Sequence, residues 1–148
     1  KKQIILAVLL TAANISAFGC DGMDGILQVQ NFDTKLAEGL MLLTPFAADA
    51  TDDLTVKFVE SYKAAYNEVP VQFAADAYDA IYAIKAAIED ANVTPDADAS
   101  TICDALKASM LNIKLDGLTG EGMTWDETGA VSKSPKGMVI ENGAYVGM

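Results

Sequence analysis

The segment Phe18-Gly-Cys-Asp-Gly-Met-Asp-Gly25 places three glycines and two aspartates within eight residues. That composition disfavours a regular helix or strand. Glycine raises the entropy cost of ordering the backbone, and aspartate competes for backbone N–H groups. The segment is therefore a loop, and it follows the continuous apolar run Ile4–Ala13. An apolar run that ends in a glycine-rich loop is the pattern of a buried parallel strand. In open α/β sheets such loops line the ligand crevice. A carboxylate there, Asp21 or Asp24, can grip an ammonium group, but on the residues alone a solvated turn, where Asp and Gly are simply favoured, is the preferred reading of both.

The start of the chain has two readings. Lys1-Lys2-Gln3, then ten apolar or small residues, then further small residues is also the pattern of an export signal over residues 1–17. Ala17-Phe18-Gly19-Cys20 is similar to a lipoprotein cleavage site. The apolar run is short for a membrane span.

Downstream, strand-like and helix-like periods alternate. Gly39–Thr44 is a short strand stopped by Pro45. Thr51 and Asp52 offer an N-cap for an amphipathic helix over Asp53–Tyr66, ended by Asn67–Pro70. Phe73–Ala91 is Ala-rich and helical, with Ala77, Ile81, Ile84 and Ile88 as its apolar stripe. Asp76, Asp79, Lys85 and Glu89 supply much of its polar remainder. Thr101–Asp104 resembles a capping box that opens a third helix to Met110. Ile113–Leu118, Met123–Trp125 and Gly137–Val146 read as strands. Asn142-Gly143 is a two-residue hairpin signal. These elements make an α/β chain of a single domain, residues 1–148, with antiparallel strands near its C-terminus.

Composition excludes several classes. The chain has 51% hydrophobic residues, which fits a globular core. Its net charge is −11, all its cations are lysines, and a nucleic-acid surface needs clustered cations. The absence of histidine removes the common hydrolytic triads and the usual zinc ligands. The Pro95–Ser100 segment lacks the Gly and Glu of a calcium loop, with Thr101 and Lys107 in their places. Gly117–Gly122 has the wrong spacing for a phosphate-binding motif and reads as a tight turn. No cofactor is expected, and a flavodoxin-like enzyme is disfavoured. Cys20 and Cys103 are either two small hydrophobes or one disulfide in an oxidising compartment.

The order of four segments carries a resemblance. Phe18–Gly25 is followed by Glu38-Gly-Leu-Met-Leu-Leu-Thr-Pro-Phe46, then Phe73–Ala80, then Gly122-Met-Thr-Trp-Asp-Glu-Thr-Gly129. This resembles the C-terminal portion of a type 1 periplasmic binding protein of the branched-chain amino-acid kind. The resemblance implies a fragment of that fold, with flavodoxin-like layers, and no enzymatic activity. It implies amino-acid binding for uptake through an ABC transporter permease, outside the cytoplasm, in the periplasm or, if the lipoprotein-like site is processed, lipid-anchored at Cys20. It implies that Asp21, with Gly22 beside it, holds the ligand's amino group. Phe73, five residues before Tyr78, matches an aromatic that packs on the ligand side chain. The residues that hold the ligand carboxylate belong to the other lobe, so weak or no binding is expected of this portion alone. A partial fold leaves apolar faces uncovered, so a homo-oligomer is expected. The alternative is an exported interaction module, derived from a binding protein, that self-associates rather than binds a ligand.

Overall fold

The computed structural model describes residues 16–148. The run Ile4–Ala13, with its two readings as signal or strand, lies outside the described residues. The described residues form two compact units. One comprises the chain up to Phe73 together with Pro135–Met148, and the other is Ala74–Ser134.

The first unit is built on one four-stranded sheet in the order β1-β2-β3-β4. β1 (Phe18–Gly19) runs parallel to β2 (Met41–Thr44), with Phe18 opposite Met41. β2 pairs antiparallel with β3 (Lys136–Glu141), and β3 pairs antiparallel with β4 (Ala144–Gly147). The expected strand Gly39–Thr44 thus starts two residues late, since Gly39 and Leu40 use their backbone groups on Ile140 beyond the ladder. The hairpin signal is realised. Asn142 and Gly143 both take positive φ, 53° and 74°, between Glu141 and its partner Ala144. Those angles twist the turn to suit the strands, and glycine adopts them at little cost.

Ala17, Ile26, Ala37, Leu40, Leu42, Ala47, Met138 and Ile140 form the core of this unit. Helix α1 (Asp53–Tyr66) follows β2. Its Asp52 cap accepts the Thr55 N–H at 2.9 Å, and Asn67 closes it in the left-handed region. Both ends are where the sequence places them. The Thr55 N–H also holds the Asp52 carboxyl below its ordinary pKa.

Helix α2 (Gln72–Ala91) starts at the end of the first unit and continues into the second. Helix α3 (Ala99–Met110) belongs to the second unit. Its cap is Asp98 and not Thr101. Asp98 accepts both the N–H and the hydroxyl of Thr101, which places Thr101 three residues inside the helix. The capping-box reading took the third position for the first.

Further expectations fail in this unit. Neither Ile113–Leu118 nor Met123–Trp125 is a strand; the region keeps only isolated bridges, Leu115 to Met123 and Trp125 to Val131. The backbone donors go elsewhere: the Ile113 N–H bonds back to Ser109 at the end of α3, the Gly117 N–H turns onto the Gly120 carbonyl, and the Leu118 N–H goes to the Asp79 carboxylate at 2.8 Å. The apolar stripe of α2 is also turned around. Ala75, Asp79, Ala83 and Ala87 are buried, whereas Ile81, Ile84 and Ile88 are exposed.

Candidate functional site

β1 delivers the chain into the glycine-rich loop, which folds as two short 3-10 turns, Asp21–Met23 and Ile26–Gln28. Gln72, at the first position of α2, ties this loop down. Its Nε2 donates to the Asp21 carbonyl at 2.8 Å, and its Oε1 accepts the Thr44 hydroxyl at 3.2 Å. Its backbone N–H donates to Asp24 Oδ2 at 2.6 Å. Gln72 and Thr44 are both buried, so each of these bonds replaces water that cannot enter. The hydroxyl of Tyr145, from β4, accepts the Gly25 N–H at 2.8 Å and the Leu27 N–H at 3.4 Å.

Asp24 is therefore not a solvated turn residue. Its carboxylate accepts N–H groups from Gly25 and Gln72, at the positive end of α2. Burial nevertheless raises its pKa above 3.8, outweighing the two N–H donors. Burial likewise pushes the Tyr145 phenol upward. A carboxyl with a raised folded-state pKa binds its proton more tightly in the fold than in the unfolded chain. Its contribution to stability is thus greatest below pH 3.8 and falls as pH rises through the raised value. The melting-temperature difference between wild type and Asp24→Asn is expected to shrink across that window, read by circular dichroism. A difference that stays constant with pH would refute the assignment.

Asp21 and Gly22 are exposed. The Gly22 N–H donates to Asp21 Oδ1 at 2.9 Å. Oδ2 accepts no hydrogen bond among the described residues, so it can accept from a ligand. Phe73 is exposed as well, and it is not a core aromatic. The Gln72 bond to the Asp21 carbonyl places the start of α2, and Phe73 with it, beside the Asp21 loop. The structure thus brings Asp21, Gly22 and Phe73 to one region of the first unit. The sequence reading missed Gln72 and Tyr145, which hold that region in shape. A polar residue at the first position of an apolar helix was the available signal for Gln72; nothing local marked Tyr145.

Cys20 and Cys103 are both exposed free thiols, so the disulfide is not formed in this structure. Among the described residues, no cluster of Asp, Glu or Cys could hold a metal ion, and no helix is long and apolar enough to cross a membrane.

The family model described as Periplasmic binding protein matches residues 1–143. The chain belongs to the periplasmic binding protein family. Members of this family are extracytoplasmic solute-binding proteins of transporters. Solved structures agree on the fold. A leucine-binding protein from Thermotoga maritima is 24% identical with a TM-score of 0.72, over 97% of this chain and 39% of its own. The substrate-binding protein of a branched-chain amino-acid transporter from Streptococcus pneumoniae, in complex with isoleucine, is 24% identical with a TM-score of 0.69. It covers 90% of this chain and 38% of its own. A solute-binding protein from R. palustris in complex with benzoate is 17% identical with a TM-score of 0.74, over 96% of this chain and 39% of its own. The chain thus spans about two fifths of the length of these proteins. No curated protein sequence matches it.

Proposed function

We propose that this chain supplies the amino-group wall of a solute-binding site for a branched-chain or related amino acid, serving ABC-transporter uptake outside the cytoplasm. The chain acts as a binder and not as an enzyme. The observation that carries this reading is the braced loop after β1, which leaves one Asp21 carboxylate oxygen open, while the Asp21 carbonyl is bonded to Gln72, the chain neighbour of the exposed Phe73. A carboxylate accepts charge-assisted hydrogen bonds from an ammonium group. An aromatic ring beside it covers an aliphatic side chain. The groups that would hold the ligand carboxylate lie in the part of the fold that this chain does not span. The permease partner would meet the completed protein.

Affinity of the 148-residue chain for free leucine is accordingly weak. NMR titration with leucine is expected to shift the amides of Asp21, Gly22 and Phe73. Asp21→Asn is expected to weaken that binding by about 1.5–3 kcal/mol, the range for a hydrogen bond to a charged group. Benzoate provides the control, because it has no ammonium group and one relative is solved with it. If benzoate shifts the same amides more strongly than leucine, and Asp21→Asn leaves leucine binding unchanged, the amino-group reading fails.

A second reading, a self-associating interaction module, is favoured by the exposed isoleucine face of α2.

A further inference from the structure

The turn between β3 and β4 carries a reactive pair that ligand binding does not use. The chain has six asparagines, and only Asn142 is followed by glycine. Phe32, Glu68, Val93 and Ile113 follow Asn31, Asn67, Asn92 and Asn112, and Ile15 follows Asn14. An asparagine side chain closes a five-membered imide when the next residue's backbone nitrogen reaches its amide carbon. A side chain on that next residue crowds the approach, and glycine has none. Asn31, Asn67, Asn92 and Asn142 all take positive φ, at 61°, 56°, 49° and 53°. The backbone region therefore does not separate them, and the following residue does. The attacking nitrogen is also free. Three Asp-Gly pairs, at Asp21, Asp24 and Asp116, can close the same imide, but their glycine N–H groups are all held. Gly22 donates to Asp21 Oδ1 at 2.9 Å, Gly25 to the Tyr145 hydroxyl at 2.8 Å, and Gly117 to the Gly120 carbonyl at 2.8 Å. The Gly143 N–H makes no hydrogen bond among the described residues, and the Asn142 side chain makes none there either. Both residues are exposed.

We propose that Asn142 is a deamidation site, and that its isoaspartate product releases Tyr145 from the Asp21 loop. The Gly143 nitrogen attacks the Asn142 amide carbon and gives its proton to solvent. The bond from that carbon to the side-chain –NH₂ breaks, and ammonia leaves with a proton from water. A water molecule then opens the imide. Cleavage between the nitrogen and the former side-chain carbon gives aspartate. Cleavage on the backbone side gives isoaspartate, in which the main chain runs through the side chain. The sum is asparagine plus water to aspartate or isoaspartate plus ammonia, with no oxidant and no cofactor. The isoaspartate lengthens the main chain in a tight turn whose geometry sets the register of the strands it joins. A new carboxylate also arises beside an existing one, because Glu38 Oε1 accepts the Asn142 N–H at 2.9 Å, and like charges at that range repel. Both changes fall on β4, where Tyr145 lies opposite Ile140. The Tyr145 hydroxyl is the acceptor for the Gly25 and Leu27 N–H groups, at 2.8 Å and 3.4 Å, so a slipped β4 withdraws it from the loop. Neither step depends on a bound ligand.

Incubation of the 148-residue chain at mildly alkaline pH, followed by peptide mass spectrometry, reads the first step. Asn142 is expected to exchange –NH₂ for –OH roughly tenfold faster than any other asparagine, since only its neighbour lacks a side chain. The Asp-Gly pairs lose and regain water through the same imide, so they change no mass and do not confuse the reading. The deamidated chain has one more negative charge and separates from its parent by anion exchange, and isoaspartate is identified by enzymatic methylation. In that form, hydrogen exchange at the Gly25 and Leu27 amides is expected to speed up roughly tenfold, with less change in α1 because the opening is local. Two variants separate the causes, each checked for an unchanged circular dichroism spectrum. Freshly prepared Asn142→Asp carries the charge without the altered linkage and is expected to keep most of the protection. Asn142→Gly keeps the positive-φ turn, has no amide to lose, and is expected to pass through the same incubation unchanged. Deamidation at Asn142 no faster than at Asn31 or Asn67 overturns the proposal, as does full protection at Gly25 and Leu27 in the isoaspartate form. Equal loss of protection in fresh Asn142→Asp or in incubated Asn142→Gly also overturns it, because the loop would then open without the altered linkage.

Discussion

Asp79→Ala is expected to cost about 3–5 kcal/mol and to unfold most of the Ala74–Ser134 unit. Asp79 is 4% exposed and accepts three hydrogen bonds. Its Oδ1 takes the Leu118 N–H at 2.8 Å, and its Oδ2 takes the Thr119 N–H at 2.8 Å and the Thr119 hydroxyl at 2.6 Å. Leu118 and Thr119 are themselves buried, so alanine would strand two backbone donors away from water. The loop has no strand ladder behind it among the described residues, because the unit has isolated bridges in its place. Asp79→Asn keeps the volume but turns an amide N–H₂ toward one group of donors, and about half the cost is expected. Gly117 approaches the same carboxylate, and a Cβ there would lie 2.5 Å from Oδ1. Gly117→Ala must therefore displace backbone or carboxylate, and is expected to destabilise the same unit. Trp125, the chain's one tryptophan, sits in this unit and reports its unfolding by fluorescence in urea. A cost below about 1 kcal/mol for Asp79→Ala would show that water replaces these bonds, and that the carboxylate does not organise the unit.

The same residue shows where sequence reading stops. The ends of α1 are legible because their signals are local: Asp52 sits three residues before the N–H it caps, and Asn67 takes a left-handed turn that asparagine favours. The Asn142-Gly143 hairpin is legible for the same reason. Asp79 lies 39 residues from Leu118, and its helical neighbours give no hint of that partner. Helical periodicity alone assigns Asp79 to the wet side, because it sees polarity and not a distant buried donor. The isoleucine stripe is misassigned by the same rule: periodicity says which residues share a face, and it does not say which face turns inward. In the first unit, the Asp21 loop is recognisable by its glycines and aspartates. The residues that brace it come from α2 and β4, and only the fold brings them there.

That bracing sets the second large effect. Gln72→Ala is expected to cost about 2–4 kcal/mol and to loosen the Asp21 loop. The substitution removes a donor to the Asp21 carbonyl and an acceptor for the Thr44 hydroxyl, and it leaves a cavity among buried neighbours. Thr44 keeps its contacts with Phe46, so the hydroxyl is not wholly orphaned, which keeps the cost below that at Asp79. The Gln72 backbone bond to Asp24 survives any side chain, so the helix start itself is retained. The loss therefore falls on the loop that presents Asp21. Hydrogen exchange is expected to rise at the amides of Gly22, Met23 and Asp24, more than in the β3–β4 hairpin, because a local opening costs less than global unfolding. Leucine binding, where measurable, is expected to weaken in the same variant even though Gln72 contributes no group to the ligand. Urea titration with hydrogen exchange on the one sample separates the two effects. Protection that falls uniformly across the unit would mean that Gln72 supports the core as a whole, and would remove the basis for a braced ligand loop.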